Sequence, residues 1–151
     1  MSKAIYVLDT NVVSLLWRME NASEENVSLA IHMRSVAPGQ IVLSAVTIAE
    51  QMQGMLSLIR RFEKINRDDQ AFAVFYDVYQ FLRRFTVIEH DAAAHARFLT
   101  FPAGVRRTGR ADCQVAALAI NRDYTVVTAN AKHFSQIPHV RFEDWTRPGS
   151  V

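Results

Sequence analysis

The sequence contains very little cysteine, glycine or proline. Among its 151 residues are one cysteine, five glycines and four prolines. The single cysteine, Cys113, excludes an internal disulfide and any metal site built on paired cysteines, and it is typical of a reducing, intracellular compartment. Because few residues break regular structure, we expect helices and strands to occupy most of the chain.

Long apolar runs and a strong charge of one sign are also absent. No stretch reaches the roughly 18 apolar residues that a membrane-spanning helix needs, and the first residues lack the pattern of a secretory signal, so we expect a soluble, cytoplasmic protein. The net charge of +2 permits a polyanionic partner without requiring one. Half of the residues are hydrophobic, and the length predicts one domain, residues 1–151.

Short apolar, β-favouring runs alternate along the chain with helical patterns. The predicted strands are residues 4–8, 41–43, 85–89 and 124–128, with a weaker fifth at 140–142. Such alternation predicts parallel strands joined by right-handed helical crossovers. The predicted fold class is therefore α/β, a three-layer α/β/α sandwich with a central parallel sheet of four to five strands.

Two segments carry more local expectations. Residues 102–109 are predicted to form a loop because proline and glycine bound them. The helix after Asp68 is unusually aromatic, and most of its aromatic residues are expected in the core, with some available as a docking surface. These aromatic residues are Phe72, Phe75, Tyr76, Tyr79 and Phe81.

Polar side chains follow several of the predicted strands. Asp9, Thr10 and Asn11 follow the first, Glu50 lies early in the helix after the second, Asp112 begins a nearly all-apolar helix, and Thr128, Asn130 and His133 follow the fourth. In open α/β sheets, ligands bind outside the carboxyl ends of the strands. We therefore expect these side chains to share one edge of the sheet.

Three carboxylates in one crevice repel each other unless one holds a proton or a cation binds. A hard divalent ion such as Mg²⁺ suits oxygen ligands, and it supports hydrolysis of a phosphodiester. We predict Asp9 and Asp112 as metal ligands, and Glu50 as a third ligand or as the group that orients the attacking water. The alternatives are structural: Asp9 and Asp112 suit helix N-caps, and Glu50 suits a solvated helix face.

Four blocks of the sequence, in order, resemble the PIN-domain ribonucleases, above all the VapC-type toxins of bacterial type II toxin–antitoxin systems and the related FitB-like proteins. The blocks are residues 7–11 (VLDTN), 44–50 (SAVTIAE), 109–117 (GRADCQVAA) and 127–134 (VTANAKHF). The resemblance implies Mg²⁺- or Mn²⁺-dependent endoribonuclease activity, often on structured RNA such as tRNA. It also implies a homodimer and inhibition by a cognate antitoxin protein.

The resemblance maps the family's three acids onto Asp9, Glu50 and Asp112. It maps the family's threonine and asparagine positions, which orient the acids by hydrogen bonds, onto Thr10, Asn11 and Thr128. Asn130 is expected to support the site by offering a carbonyl oxygen or by fixing a water. Many members carry a fourth acid in the last block, where this chain has Asn130 and His133. We therefore expect one well-occupied ion. A catalytically weak PIN-like module that binds RNA or a partner is the alternative.

Basic residues flank the predicted site. Possible contacts to the RNA backbone are Arg106, Arg107, Arg110, Lys132 and His133. Such contacts position a substrate without specifying its sequence. A solvated loop for the arginines and a surface position for His133 are the alternatives, and Cys113 is expected to be a buried, inert thiol.

Overall fold

A computed structural model describes residues 3–149 and contains one sheet of five parallel strands. The strands are β1 (Tyr6–Leu8), β2 (Ile41–Ser44), β3 (Thr86–Ile88), β4 (Thr125–Val127) and β5 (Phe142–Glu143). Their order across the sheet is β3-β2-β1-β4-β5, and every adjacent pair is parallel. The predicted α/β class with a central parallel sheet is confirmed.

Helices connect the strands and flank the sheet. They are α1 (Thr10–Asn21), α2 (Val27–Ser35), α3 (Ala45–Glu63), α4 (Asp68–Leu82), α5 (Ala92–Leu99), α6 (Ala103–Thr108), α7 (Arg110–Arg122) and α8 (Ala131–Phe134), with a 3₁₀ turn at Pro38–Gln40. Within residues 3–149, no helix has the length and apolar character needed to cross a membrane.

The strand register sorts the apolar side chains onto two faces, because successive residues of a strand point to opposite sides. Val7 pairs with Val42 and Val126, and these three pack with α5 and α7 in one core. Leu8 pairs with Leu43 and Val127, and these pack with α1 and α4 in a second core on the other face. Two cores on opposite faces make the three layers of the predicted sandwich.

Helix α7 is buried along most of its length, as its apolar sequence predicts. Cys113 and residues 115–119 are buried in it. Burial, together with the charge of Asp112, raises the pKa of the Cys113 thiol to about 11, so this thiol stays protonated at neutral pH. The prediction of a buried, inert thiol is confirmed. This burial fixes α7, and with it Asp112, firmly against the sheet.

The prediction of a loop over residues 102–109 is wrong, because Ala103–Thr108 forms α6. Pro102 is the N-cap of this helix, and its carbonyl oxygen accepts a hydrogen bond from the Arg106 N–H at 3.0 Å. Proline is compatible with a helix start, where no intrahelical bond needs its missing N–H. The proline therefore begins a helix here, and Gly109 separates α6 from α7.

The expectation that most aromatic residues of α4 are core residues is also wrong. Phe72, Tyr76 and Tyr79 are 54%, 60% and 50% exposed, whereas Phe81 is buried. The spacing of the three exposed rings, i, i+4 and i+7, places them on one face of a helix. Helix α4 buries its other face, which includes Phe81 and Leu82, against the second core.

Candidate active site

The carboxyl ends of β1, β2 and β4 meet at one edge of the sheet and carry buried polar side chains. Asp9, Ser44 and Thr128 are 1%, 0% and 0% exposed. The Asp9 N–H donates to the Val127 carbonyl oxygen at 3.0 Å, which extends the pairing of β1 with β4 by one residue. The predicted polar edge therefore exists, and the sheet itself aligns Asp9 with Thr128.

Both carboxylate oxygens of Asp9 accept hydrogen bonds. Oδ1 accepts from the Val12 N–H at 3.1 Å, and Oδ2 accepts from the Thr128 hydroxyl. The first bond makes Asp9 the N-cap of α1, so the structural interpretation of this residue is correct. The second bond ties the same carboxylate to β4, so the cap residue also belongs to the polar edge.

The environment of Asp9 disfavours its charge. Burial raises the pKa of the Asp9 carboxyl from 3.8 to about 6, and the negative charge of Asp112 adds to this effect. Hydrogen bonds from Thr128 and from the Val12 N–H act in the opposite direction without cancelling it. A carboxylate in this situation is stabilised by a nearby positive charge.

Asp112 lies in the first turn of α7 but does not cap it. Gly109 is the N-cap, and no side chain makes a capping hydrogen bond there. Oδ2 of Asp112 instead lies 2.8 Å from His133 Nδ1 and 3.4 Å from Asn130 Nδ2. The capping interpretation of Asp112 is therefore wrong, and its carboxylate is held by the segment that follows β4.

Glu50 is connected to the same edge through Thr10. The Thr10 hydroxyl donates to Glu50 Oε1, which joins α3 to the residue directly after Asp9. Glu50 is half-buried and hydrogen-bonded, so it is not a freely solvated acid. The side chain of Asn11 is exposed, but its backbone N–H bonds to the Asp9 carboxylate.

Asp9 and Asp112 are the two acids that could hold a divalent metal. No cluster of three or more His, Cys, Asp or Glu side chains placed to hold a metal occurs in the part of the chain that the structure describes. Mg²⁺, however, usually takes only one or two protein carboxylates and completes its shell with water and phosphate oxygens. Asp9 and Asp112 supply oxygen ligands of that kind, and they lie near enough for the charge of Asp112 to raise the pKa of Asp9.

Basic side chains lie on α6 and at the start of α7. The Arg106 and Arg110 guanidinium groups lie 5.7 Å and 4.8 Å from the centroid of the buried Phe98 ring. Arg106 Nε also donates to the Phe101 carbonyl oxygen at 3.1 Å. Arg107 is exposed, as are Arg110 and Lys132. Arg106 is therefore held by contacts within the fold, whereas the charges of Arg107, Arg110 and Lys132 face solvent.

The alternative that His133 is a surface residue is wrong, because it is 9% exposed. Its ring lies between Asp112 and Thr108, and Thr108 was not predicted to belong to the site. Phe98, the ring beneath two arginines, and Ser44, the N-cap of α3, were also missed. Ser44 directly after a strand is a recognisable N-cap signal, whereas no local pattern identifies Thr108 or Phe98.

Together, the fold and the site define a parallel α/β protein that presents two acids at the carboxyl edge of its sheet. Residues 6–140 match the PIN domain family, which is most of the chain. The chain therefore belongs to the PIN domain family, and the resemblance noted in the sequence is confirmed.

Similar proteins include named nucleases and solved complexes. The chain is 28% identical to the tRNA(fMet)-specific endonuclease VapC of Shigella flexneri, over 93% of this chain and 98% of that protein. Its structure is similar to the DNA-bound VapBC of Salmonella typhimurium, with 26% identity, a TM-score of 0.64, and 95% and 99% of the two chains covered. FitAcB of Neisseria gonorrhoeae shares the fold at 22% identity, with a TM-score of 0.68 and coverage of 93% and 98%.

Proposed function

We propose that this chain is the toxin of a type II toxin–antitoxin pair and an endoribonuclease that hydrolyses phosphodiester bonds, with structured RNA such as tRNA as its substrate class. The observation that carries the proposal is the pair Asp9 and Asp112, held at the carboxyl edge of the sheet in a PIN-family chain. The names of relatives support it, since they include a tRNA-specific endonuclease and a ribonuclease.

We propose Mg²⁺ or Mn²⁺ as the cofactor, with Asp9 and Asp112 as its protein ligands. When bound, the ion supplies polarisation of the phosphoryl oxygen and a lowered pKa for a water nucleophile. The chain itself orients the ligands: Thr128 holds Asp9, and the segment after β4 holds Asp112. Glu50, anchored by Thr10, is assigned the role of orienting the attacking water.

The direct test incubates purified chain with tRNA in Mg²⁺, in Mn²⁺ and in EDTA, followed by sequencing of the RNA ends. We expect defined cleavage products with either metal and none in EDTA, because in this proposal the ion polarises the phosphoryl oxygen and lowers the pKa of the attacking water. Asp112→Asn is expected to lose the products. Cleavage that survives both EDTA and Asp112→Asn would contradict the proposal.

A catalytically weak RNA-binding module is a second candidate function. The observation that favours it is that residues 127–134, with Asn130 and His133 at the expected position of a further acid, contain no carboxylate. This candidate predicts RNA binding without cleavage in either metal. The same incubation, combined with a gel-shift measurement, therefore separates the two functions.

We propose that Arg107, Arg110 and Lys132 contact the RNA backbone. In the cleavage-deficient Asp112→Asn background, Arg110→Ala is expected to weaken RNA binding several-fold and to reduce the salt dependence of log Kd by about one unit, because one phosphate contact is lost. The measurement is a filter-binding titration at several salt concentrations.

Arg122→Ala provides a matched control, since Arg122 is an exposed arginine at the other end of the same helix. It is expected to leave the salt slope unchanged. Equal losses for Arg110→Ala and Arg122→Ala would mean that net charge alone, and no local contact, governs binding.

We propose a cognate antitoxin, a homodimer and a cytoplasmic location. The antitoxin is supported by solved relatives described as VapBC and FitAcB complexes, and the location follows from an RNA substrate. Co-expression of the neighbouring small gene is expected to restore growth of cells arrested by this chain.

The homodimer is tested by light scattering on the isolated chain, which is expected to give twice the chain mass of 17.1 kDa.

A further inference from the structure

His133 occupies a fixed position between α6 and α7. Its Nδ1 lies 2.8 Å from Asp112 Oδ2, and its Nε2 lies 3.1 Å from the Thr108 hydroxyl oxygen. Two hydrogen-bonding neighbours on opposite sides of the ring define both its plane and its tilt. Because the residue is buried, water does not compete freely for either contact.

The His133 ring packs directly against the backbone of Gly109, where a side chain would clash with it. A Cβ atom added to Gly109 would lie 2.3 Å from His133 Cε1 and 2.9 Å from Nδ1, closer than non-bonded atoms approach. The φ of Gly109 is −173°, which any residue adopts, so the close approach of the histidine is what favours glycine here. The ring therefore packs directly on the N-cap of α7, the helix that carries Asp112.

We infer that His133 is a positioning residue that orients the Asp112 carboxylate for the metal, an inference that rests on the proposed function. The ring donates from Nδ1 to Oδ2, and the Asn130 amide approaches the same oxygen at 3.4 Å. Both contacts among the described residues reach Oδ2, which leaves Oδ1 for the ion. Hydrogen bonds of this kind to a metal-binding carboxylate fix its rotamer and strengthen metal binding.

A direct contact from His133 to RNA, predicted from the sequence alone, suits this geometry less well. A buried ring with both nitrogens already facing protein oxygens has no free nitrogen for a phosphate. The histidine thus acts through Asp112. Residues 127–134 contain no carboxylate, so this segment supports one ion through Asp112.

The test measures Mn²⁺ affinity by calorimetry on RNA-free protein, with thermal unfolding in EDTA as a check on the fold. His133→Phe keeps a planar ring but removes the donor, and we expect Mn²⁺ affinity to fall about 10- to 100-fold. His133→Asn returns an N–H donor near the position of Nδ1, and its affinity is expected to recover to within a few-fold of wild type. His32→Phe is the matched control, because His32 stacks on Trp145 in the other core.

Gly109→Ala tests the inference without altering the histidine or any acid. The added methyl group displaces the ring, so we expect a loss of Mn²⁺ affinity similar to that of His133→Phe. Wild-type affinity in both His133→Phe and Gly109→Ala would overturn the inference, and so would equal losses in His133→Phe and His133→Asn.

The outcomes also separate this inference from the proposed function. If wild-type protein binds Mn²⁺ and Asp9→Asn does not, the metal site stands, and the His133 variants alone decide the inference. If wild-type protein binds no Mn²⁺, both the proposed function and the role of His133 are overturned.

Discussion

Replacing Asp9 with asparagine is expected to lower RNA cleavage by at least about 100-fold and to remove growth arrest on induction, while the protein stays folded. Loss of a side chain that hydrogen-bonds to a metal ligand already costs roughly 10- to 100-fold at metal sites, and loss of the ligand itself should cost more. Asparagine keeps the size of the side chain and an oxygen for the Val12 N–H, so the start of α1 should remain intact. Cleavage assays, growth after induction and circular dichroism measure the three effects.

Asp91→Asn is the matched control for this substitution. Asp91 is also an N-cap aspartate, and its Oδ1 accepts from the Ala94 N–H at 2.8 Å at the start of α5. Because it lies outside the site, its asparagine variant should cleave RNA as wild type does. Continued growth arrest by Asp9→Asn protein would show that Asp9 is not part of the toxic activity.

Asp9→Asn is also expected to change how the stability of the protein depends on pH. The pKa of Asp9 rises from 3.8 to about 6 on folding, so between these values the folded protein holds a proton that the unfolded chain has released. The contribution of this group to stability therefore falls as pH rises through that window. A difference of one in pKa corresponds to about 1.36 kcal/mol. The ionised Asp9 carboxylate therefore lowers the free energy of unfolding at neutral pH by about 3 kcal/mol.

Asp9→Asn protein should therefore gain stability relative to wild type as pH rises from about 4 to 7, by up to about 3 kcal/mol in EDTA. Imperfect hydrogen bonding of the new amide with Thr128 reduces this gain. Urea unfolding of both proteins at several pH values measures the difference, and added Mn²⁺ should narrow it by stabilising wild type alone. Parallel stability curves across this range would mean that the buried carboxyl does not titrate as described.

The candidate site could be predicted in part because Asp9 and Thr128 directly follow strands. A carboxylate directly after an apolar strand, as in Val7-Leu8-Asp9, lies at the carboxyl end of that strand, and in a parallel sheet this is the edge where ligands bind. The pairing of β1 with β4 then brings Thr128 to Asp9. For Asp9 and Thr128, the order of residues in the sequence and the topology of a parallel sheet were sufficient to predict that they lie together.

The contacts of His133 could not be predicted in that way. They join α8 to α6 and α7, and they require the absence of a side chain at Gly109, where a Cβ atom would clash with the histidine ring. Such a contact depends on how α6, α7 and α8 pack together, and packing has no signature in local periodicity. The exposed rings of α4 were mispredicted for a related reason, since an aromatic residue at a helical spacing does not reveal which face meets the core.

The sequence alone determined the five strands, most of the helices, the three candidate acids and the family, because hydrophobic periodicity and short motifs are local properties of the chain. The tertiary structure decided what surrounds each candidate acid. It buried Asp9 at the sheet edge, joined Glu50 to Thr10, and placed a histidine against Asp112. The physical reason is that a carboxylate's charge and orientation depend on desolvation and on neighbours from distant segments, which only folding brings into contact.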